Sequence, residues 1–317
     1  MADPSVNFVP NFSPEIVRLF QERAGGLRST VRTRTITGKS DHWERLGGLE
    51  LEQVTSRHQA TPYTPGTFSR RRVNMADWAG SERLDQLDEV KMMINPKNEH
   101  TENLLMAYDR RIARTITDAL DGNALAVSNT ETTSTVALPG SQAIANGGTG
   151  LTVAKLRQAN RIMDNTGVPR DGNRHILIST YGLEDLLADS QFTSTDYNSM
   201  KTLVDGGGSF INSGASWMGY QWHVISDAIP DDSAVLGSSV TVPNSATGPI
   251  LPKSGNIRTC FVYHRSAIGL TFAKEASVEV DRRPDLMNLW QVMVQFSLGA
   301  TRILDAGVVT IDIDESV

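Results

Sequence analysis

The chain has 317 residues, 39% hydrophobic and 21% charged, with a formal net charge of -6 and a single cysteine. Such a length can bury a sizeable core, in two domains or in one with large excursions, and the lone Cys260 excludes an intrachain disulfide framework. No stretch approaches the roughly 18 apolar residues that cross a bilayer, and Met1 to Pro4 opens no basic-then-apolar leader, so folding in a reducing cytoplasm without a membrane partner is expected.

Taken in chain order, Pro14 to Arg23 forms a short helical pattern ended by Gly25 and Gly26, an arm. From Leu27 to Ile36 arginine alternates with threonine and valine, a pattern that suits a partly exposed strand. A second such run, Thr67 to Val73, follows Pro62, Pro65 and Gly66, and the two predict a long two-stranded excursion. With so few apolar residues an isolated pair of strands is marginal in water, so a neighbouring subunit is the economical cover. That neighbour would bury Trp43, Phe68 and Trp78; the alternative is that these aromatics pack within their own domain.

Asn95 to Gly122 carries the sharpest pattern. Asn95 suits an N-cap and Pro96 the first helical position. Leu104, Leu105, Tyr108, Ile112, Ile116 and Leu120 fall on one face, while Asp109, Arg110, Arg111, Arg114 and Asp118 take much of the other. Gly122 occupies the place of a left-handed terminator. A helix over 96–121 would run about 37 Å, a spine for a whole domain.

The polar stretch 123–150 is expected to be a surface connection. A helix capped by Thr152 and running to Asp164, a buried strand over 174–179, a second helix over 181–189 and a strand over 219–225 form an α/β region. Between them Gly206, Gly207 and Gly208 mark a loop or hinge, and residues 230–255, which hold Pro243, Pro249 and Pro252 after Pro230, form another loop. Strands are then predicted at 257–263, 268–272, 277–280, 289–298 and 308–313. Helices and strands do not alternate regularly, which points to α+β architecture.

Chemistry-bearing motifs are missing. The six histidines are scattered, with no pair at metal-binding helical spacing, and Cys260 lies in an apolar strand where a buried, inert thiol is expected. The sequence contains neither a phosphate-binding P-loop nor a serine-nucleophile elbow. No catalytic, metal or cofactor site is therefore assigned. Arg70, Arg71 and Arg72 are the obvious nucleic-acid candidates, but on a strand only Arg70 and Arg72 share a face, and the acidic pI of about 5.6 leaves room only for weak, nonspecific contact.

Charge is unevenly spread. Residues 28–75 hold nine basic against four acidic side chains, whereas 274–317 hold four basic against eight acidic. Opposite signs on separate parts of one chain favour contact between identical subunits, although both stretches would also serve as ordinary solvated faces.

The order of these elements resembles the major capsid protein of tailed bacteriophages, the Hong Kong 97-type fold. The resemblance rests on Asp109-Arg110-Arg111-Ile112 through Asp121-Gly122, on 174–179 leading into Tyr181-Gly182-Leu183-Glu184-Asp185-Leu186-Leu187, on 219–225, and on Gly299 to Ile303 with Val308 to Ile311. It implies an α+β subunit with an N-terminal arm (1–27), an extended β-hairpin loop (28–80), a peripheral domain (81–122 and 256–317, with the spine helix 96–121) and an axial domain (123–255). It further implies pentamers and hexamers of an icosahedral virion around double-stranded DNA, assembled in the host bacterial cytoplasm. A separate scaffolding protein, a portal protein and a cement protein would be the other partners. No enzymatic activity is implied. An encapsulin-type nanocompartment shares the fold, a soluble oligomeric enzyme is the rival from another class, and a tail-tube protein fits the long helix poorly. Lys39 is the only lysine of the excursion available to an inter-subunit crosslink, with no partner assigned. The expected subunit contacts are Arg32, Arg34, Trp43, Phe68, Arg70 and Arg72 of the excursion, with Asp312 and Asp314 as acidic counterparts.

Overall fold

Among the described residues the chain forms three β-sheets and one helix of 25 residues. The computed structural model describes residues 24–53, 55–57, 61, 63–85, 97–128, 131–189, 216–225 and 250–316. The arm helix over 14–23, Asn95, Pro96, the glycine run at 206–208 and most of the 230–255 loop lie outside them. Strands β1 (Arg32–Thr35), β2 (Ser40–Leu46), β3 (Phe68–Asn74) and β4 (Ala76–Leu84) precede helix α1 (Lys97–Asp121). Strands β5 (Ala124–Val127), β6 (Thr133–Val136) and β7 (Ala143–Ile144) lead to α2 (Val153–Asn165), β8 (Arg174–Ser179) and α3 (Thr180–Ala188). The rest is strand: β9 (Ser216–Trp217), β10 (Tyr220–Ile225), β11 (Lys253–Ser254), β12 (Ile257–His264), β13 (Ile268–Arg283), β14 (Leu289–Arg302) and β15 (Val308–Asp314).

The largest sheet runs β7-β15-β12-β8-β10-β9, with β11 on β12, and is covered on both faces. Alternate residues of each strand therefore enter different cores. Leu177, Phe261, Tyr263 and Val308 pack with α1, whereas Ile176, Ile178, Cys260, Val262, Val309 and Ile311 pack with α2 and α3. The strands from 256–317 and those from 174–225 thus share one sheet, and a boundary at residue 255 falls between its hydrogen-bonded members.

Helix α1 matches its expected span from Lys97 onward. Tyr108, Ile112, Ile116 and Leu120 are buried, each contributing about 2 kcal/mol by removal from water. Leu104 only borders the core, and Leu105 is 38% exposed near the start of the helix. Gly122 is not left-handed as expected. Glycine is needed for another reason: a Cβ there would stand 2.5 Å from the Asp118 carbonyl oxygen.

The excursion is paired differently from its prediction. Residues 24–30 form a 3-10 helix, because the Ser29 and Thr30 hydroxyls donate to the carbonyls of Gly26 and Leu27, three residues back. Only Arg32–Thr35 is strand, and it runs parallel to β13. The partner of β3 is β2, in register from Ser40 opposite Asn74 to Leu46 opposite Phe68. The expected connection over 123–150 contains β5 and β6, which extend this sheet in the order β2-β3-β5-β6. The strands expected at 268–272 and 277–280 are one strand, β13, interrupted only by register shifts near Lys274.

Candidate inter-subunit surface

The β2–β3 hairpin has two faces of different character. Asp41, Trp43 and Arg45 of β2 and Ser69, Arg71 and Val73 of β3 turn toward the body of the subunit. Asp41 is buried and accepts hydrogen bonds from Arg34 Nε at 3.0 Å, from the Thr271 hydroxyl at 2.9 Å and from the His42 amide at 2.8 Å. Trp43 donates from Nε1 to Thr271 Oγ1 at 3.2 Å, and the Arg34 guanidinium stacks over its ring at 4.5 Å. Gly269 makes this seat possible, since a Cβ there would lie 2.6 Å from the indole. Arg45 donates to the Ile303 carbonyl at 2.9 Å.

Arg71 is the deepest anchor. Its side chain is 3% exposed and pairs with Asp305 at 2.5 Å; the same carboxylate accepts from Arg302 Nε at 2.7 Å. Burial draws the Arg71 guanidinium below its ordinary value, and Asp305 acts in the opposite sense. Arg302 is fully buried and also donates to the carbonyls of Leu120, Gly122 and Val136, joining the end of α1 to β6 and β14. The carboxylates at the hairpin root, Asp41 and Asp305, are thus paired inside one chain, while Arg71 Nε and Nη1 have no hydrogen-bond partner among the described residues.

The outer face and tip are open. Phe68 is 73% exposed, and Arg70 lies 3.7 Å from Glu44 with half of its side chain in solvent. Beyond them Leu46, Leu49, Leu51 and Tyr63 are exposed, Leu51 completely. Five large apolar side chains on one projecting loop form the kind of patch that marks an interaction surface. A second projection is formed by the outer halves of β13 and β14, where Val278, Val280 and Met287 are exposed beside Glu279 and Asp281.

The predicted contact residues are accordingly divided. Arg32, Phe68 and Arg70 face solvent and Arg72 is half-buried, whereas Arg34 and Trp43 meet at the hairpin root. Trp78 packs against the α1 core under the Arg111 guanidinium, 3.5 Å from its ring. Asp312 accepts from the Thr259 hydroxyl at 2.8 Å on β15, and Asp314 accepts from Ser316, so neither stands near the arginines of its own hairpin. Asp41, Arg71, Arg302 and Asp305 escaped the sequence pattern because charged residues at inward positions look like a solvated face. A family model described as phage capsid protein matches residues 5–315. The chain belongs to the phage capsid protein family.

No curated protein sequence matches this capsid protein significantly. Among solved structures it is similar to the capsid of Cyanophage P-SCSP1u, at 16% identity and a TM-score of 0.68 over 97% of this chain and 93% of that one. It is also similar to the head of Helicobacter pylori bacteriophage KHP40, at 13% identity and 0.67 over 98% and 96%, and to the capsid of Ralstonia phage GP4, at 9% identity and 0.67 over 97% and 95%. The likeness establishes the fold, the α+β Hong Kong 97-type capsid architecture that the order of elements implied.

His175 and His223 are 48 residues apart but lie on the paired strands β8 and β10, where Nδ1 of one meets Nε2 of the other at 3.2 Å. A search for helical spacing misses such a cross-strand pair. Among the described residues no group of three or more His, Cys, Asp or Glu is placed to hold a metal. Burial pushes the Cys260 thiol up to about 12, leaving it protonated and inert. No described helix is long and apolar enough to cross a membrane.

Proposed function

We propose that this capsid protein is the major subunit of an icosahedral head, assembling as pentamers and hexamers around double-stranded DNA in the host cytoplasm. The carrying observation is the apolar tip over residues 46–68, held rigidly at its root and exposed at its end. Avidity then stabilises the shell, since each subunit makes several modest contacts in a closed lattice. The hairpin lies over a neighbour, with Arg32, Phe68, Arg70 and Arg72 at the contact. Arg34 and Trp43 aim it from the root. Exposed Glu279 and Asp281 join Asp312 and Asp314 as acidic counterparts. Residues 1–27 serve as the arm, α1 with the β13–β14 sheet as the peripheral part, and the α2–α3 face of the large sheet as the axial part. A scaffolding protein, a portal protein and a cement protein complete the assembly, DNA contact is weak and nonspecific, and the subunit carries no catalytic function.

Electron microscopy of the purified chain tests this reading. Leu51→Ser with Tyr63→Ser should abolish shells while leaving the melting temperature of the subunit unchanged, because both side chains are already in water. Shells from this variant as abundant as those of the parent would refute the role of the tip. Nucleic acid inside particles from infected cells supports a head; a protein cargo would support a nanocompartment.

A further inference from the structure

On the other side of the large sheet, Arg157 and Arg161 stand one turn apart on the solvent face of α2 and look onto a cleft of about 620 Å³. Arg170, from the loop between α2 and β8, and Arg174, the first residue of β8, close it. Arg174 is 1% exposed and fixed by Asp164 at 2.8 Å, by Asn160 Oδ1 at 3.1 Å and by the carbonyls of Val168 and Pro169. Arg170 chelates the same Asp164 through two hydrogen bonds. Asp164 is the single acidic residue among the described lining residues, against four arginines, in a chain whose net charge is -6.

The arrangement is built rather than incidental. Met218 and Gly219, both at positive φ, make the β9–β10 turn that forms one wall, and Asn160 Nδ2 donates to the Met218 carbonyl at 3.3 Å. Next in the chain, Tyr220 is fully buried, and its hydroxyl has no hydrogen-bond partner among the described residues while feeling the charges of Arg174, Asp164 and Arg170. Hydrogen bonding from Arg170 and then from Arg174 holds the Asp164 carboxyl down at about 2, so it stays ionised between those two arginines.

We propose that this cleft binds phosphate groups. The Arg157 and Arg161 guanidinium groups approach from α2, while Arg170 and Arg174, held on Asp164, add positive charge from the other side, which suits a ligand with oxygens on several faces. A phosphoryl group presents them, whereas a carboxylate offers two oxygens in one plane. The phosphate can belong to a nucleic-acid backbone or to a free polyphosphate.

The purified full-length chain is titrated with inorganic tripolyphosphate, a short labelled DNA duplex and polyglutamate, and compared with Arg157→Gln/Arg161→Gln. Both arginines are exposed, so the variant should melt like the parent. Tripolyphosphate should bind the parent and bind the double variant about tenfold more weakly. If the duplex binds with the same loss and is displaced by tripolyphosphate, the phosphate is that of nucleic acid; binding of tripolyphosphate alone marks a free polyphosphate site. Undetectable tripolyphosphate binding, equal binding by parent and double variant, or polyglutamate binding as tightly as tripolyphosphate with the same loss would each overturn the assignment, the last in favour of an acidic protein segment.

Discussion

Two histidine rings buried against each other cannot both carry protons without cost. His175 and His223 are 4% and 9% exposed, and each is held down at about 4, chiefly because burial penalises the imidazolium. For His175 the neighbouring charges of His223, Arg265 and His264 act in the same direction. The folded state therefore binds these protons less readily than the unfolded chain, whose histidines titrate near 6.5. Their contribution to stability is complete above that value, falls as pH drops from about 6.5 toward 4, and changes little below it; at about 1.4 kcal/mol per pKa unit each ring accounts for roughly 3 kcal/mol. Urea unfolding of the subunit at a series of pH values should show this decline, and His223→Gln should flatten it by close to half. A slope unchanged by the substitution would place the acid sensitivity elsewhere.

At the scale of elements, what the sequence disclosed depended on which side chains face inward. The unit α2–β8–α3 was legible almost to the residue because its signals are local: Thr152 Oγ1 accepts from the Lys155 amide, Ser179 Oγ accepts from the Gly182 amide, and β8 is an unbroken buried run. Helix α1 was legible for the same reason. Strand β2 was not, because its inward positions are Asp41, Trp43 and Arg45, and only distant partners such as Arg34, Thr271 and Ile303 make burial of those charges tolerable. Lys155 repeats the lesson: it lies on the core side of α2 and donates to the carbonyls of Thr149, Gly150 and Asp312. The most demanding junction of this kind is Arg302, which links the end of α1, β6 and the Arg71–Asp305 pair. Arg302→Met should destabilise the subunit by about 3–5 kcal/mol, since it strands buried carbonyls and leaves Asp305 with one cation. Arg302→Lys should recover little of this, because an ammonium lacks the fork that reaches several acceptors at once. Chemical denaturation of both variants measures the difference, and a near-parental lysine variant would mean that charge alone, without geometry, holds the junction.

For the whole molecule, the charge asymmetry visible in the sequence divides into an internal and an external part. Arg28 pairs with Glu275 and Arg71 with Asp305 within one subunit, so two of the five excess basic charges over 28–75 hold the excursion to its own body, while Arg34 pairs with Asp41 inside the excursion itself. Arg32 and Arg70 on one side and Glu279 and Asp281 on the other stay at the surface, while the tip presents Leu49, Leu51 and Tyr63. Surface charges act over a screening length of about 8 Å at physiological salt and chiefly accelerate encounter, whereas buried apolar area governs how long a contact lasts. Assembly should therefore respond to salt and to apolar substitution in different ways. Raising ionic strength should slow the growth of light scattering during assembly yet leave preformed shells intact, and the slowing should be weaker in Arg70→Gln. The apolar tip should act on persistence: Leu51→Ser alone should shorten shell lifetime after dilution with little effect on the initial rate. Shells that dissolve on addition of salt would show instead that ion pairs, and not the hairpin tip, hold the subunits together.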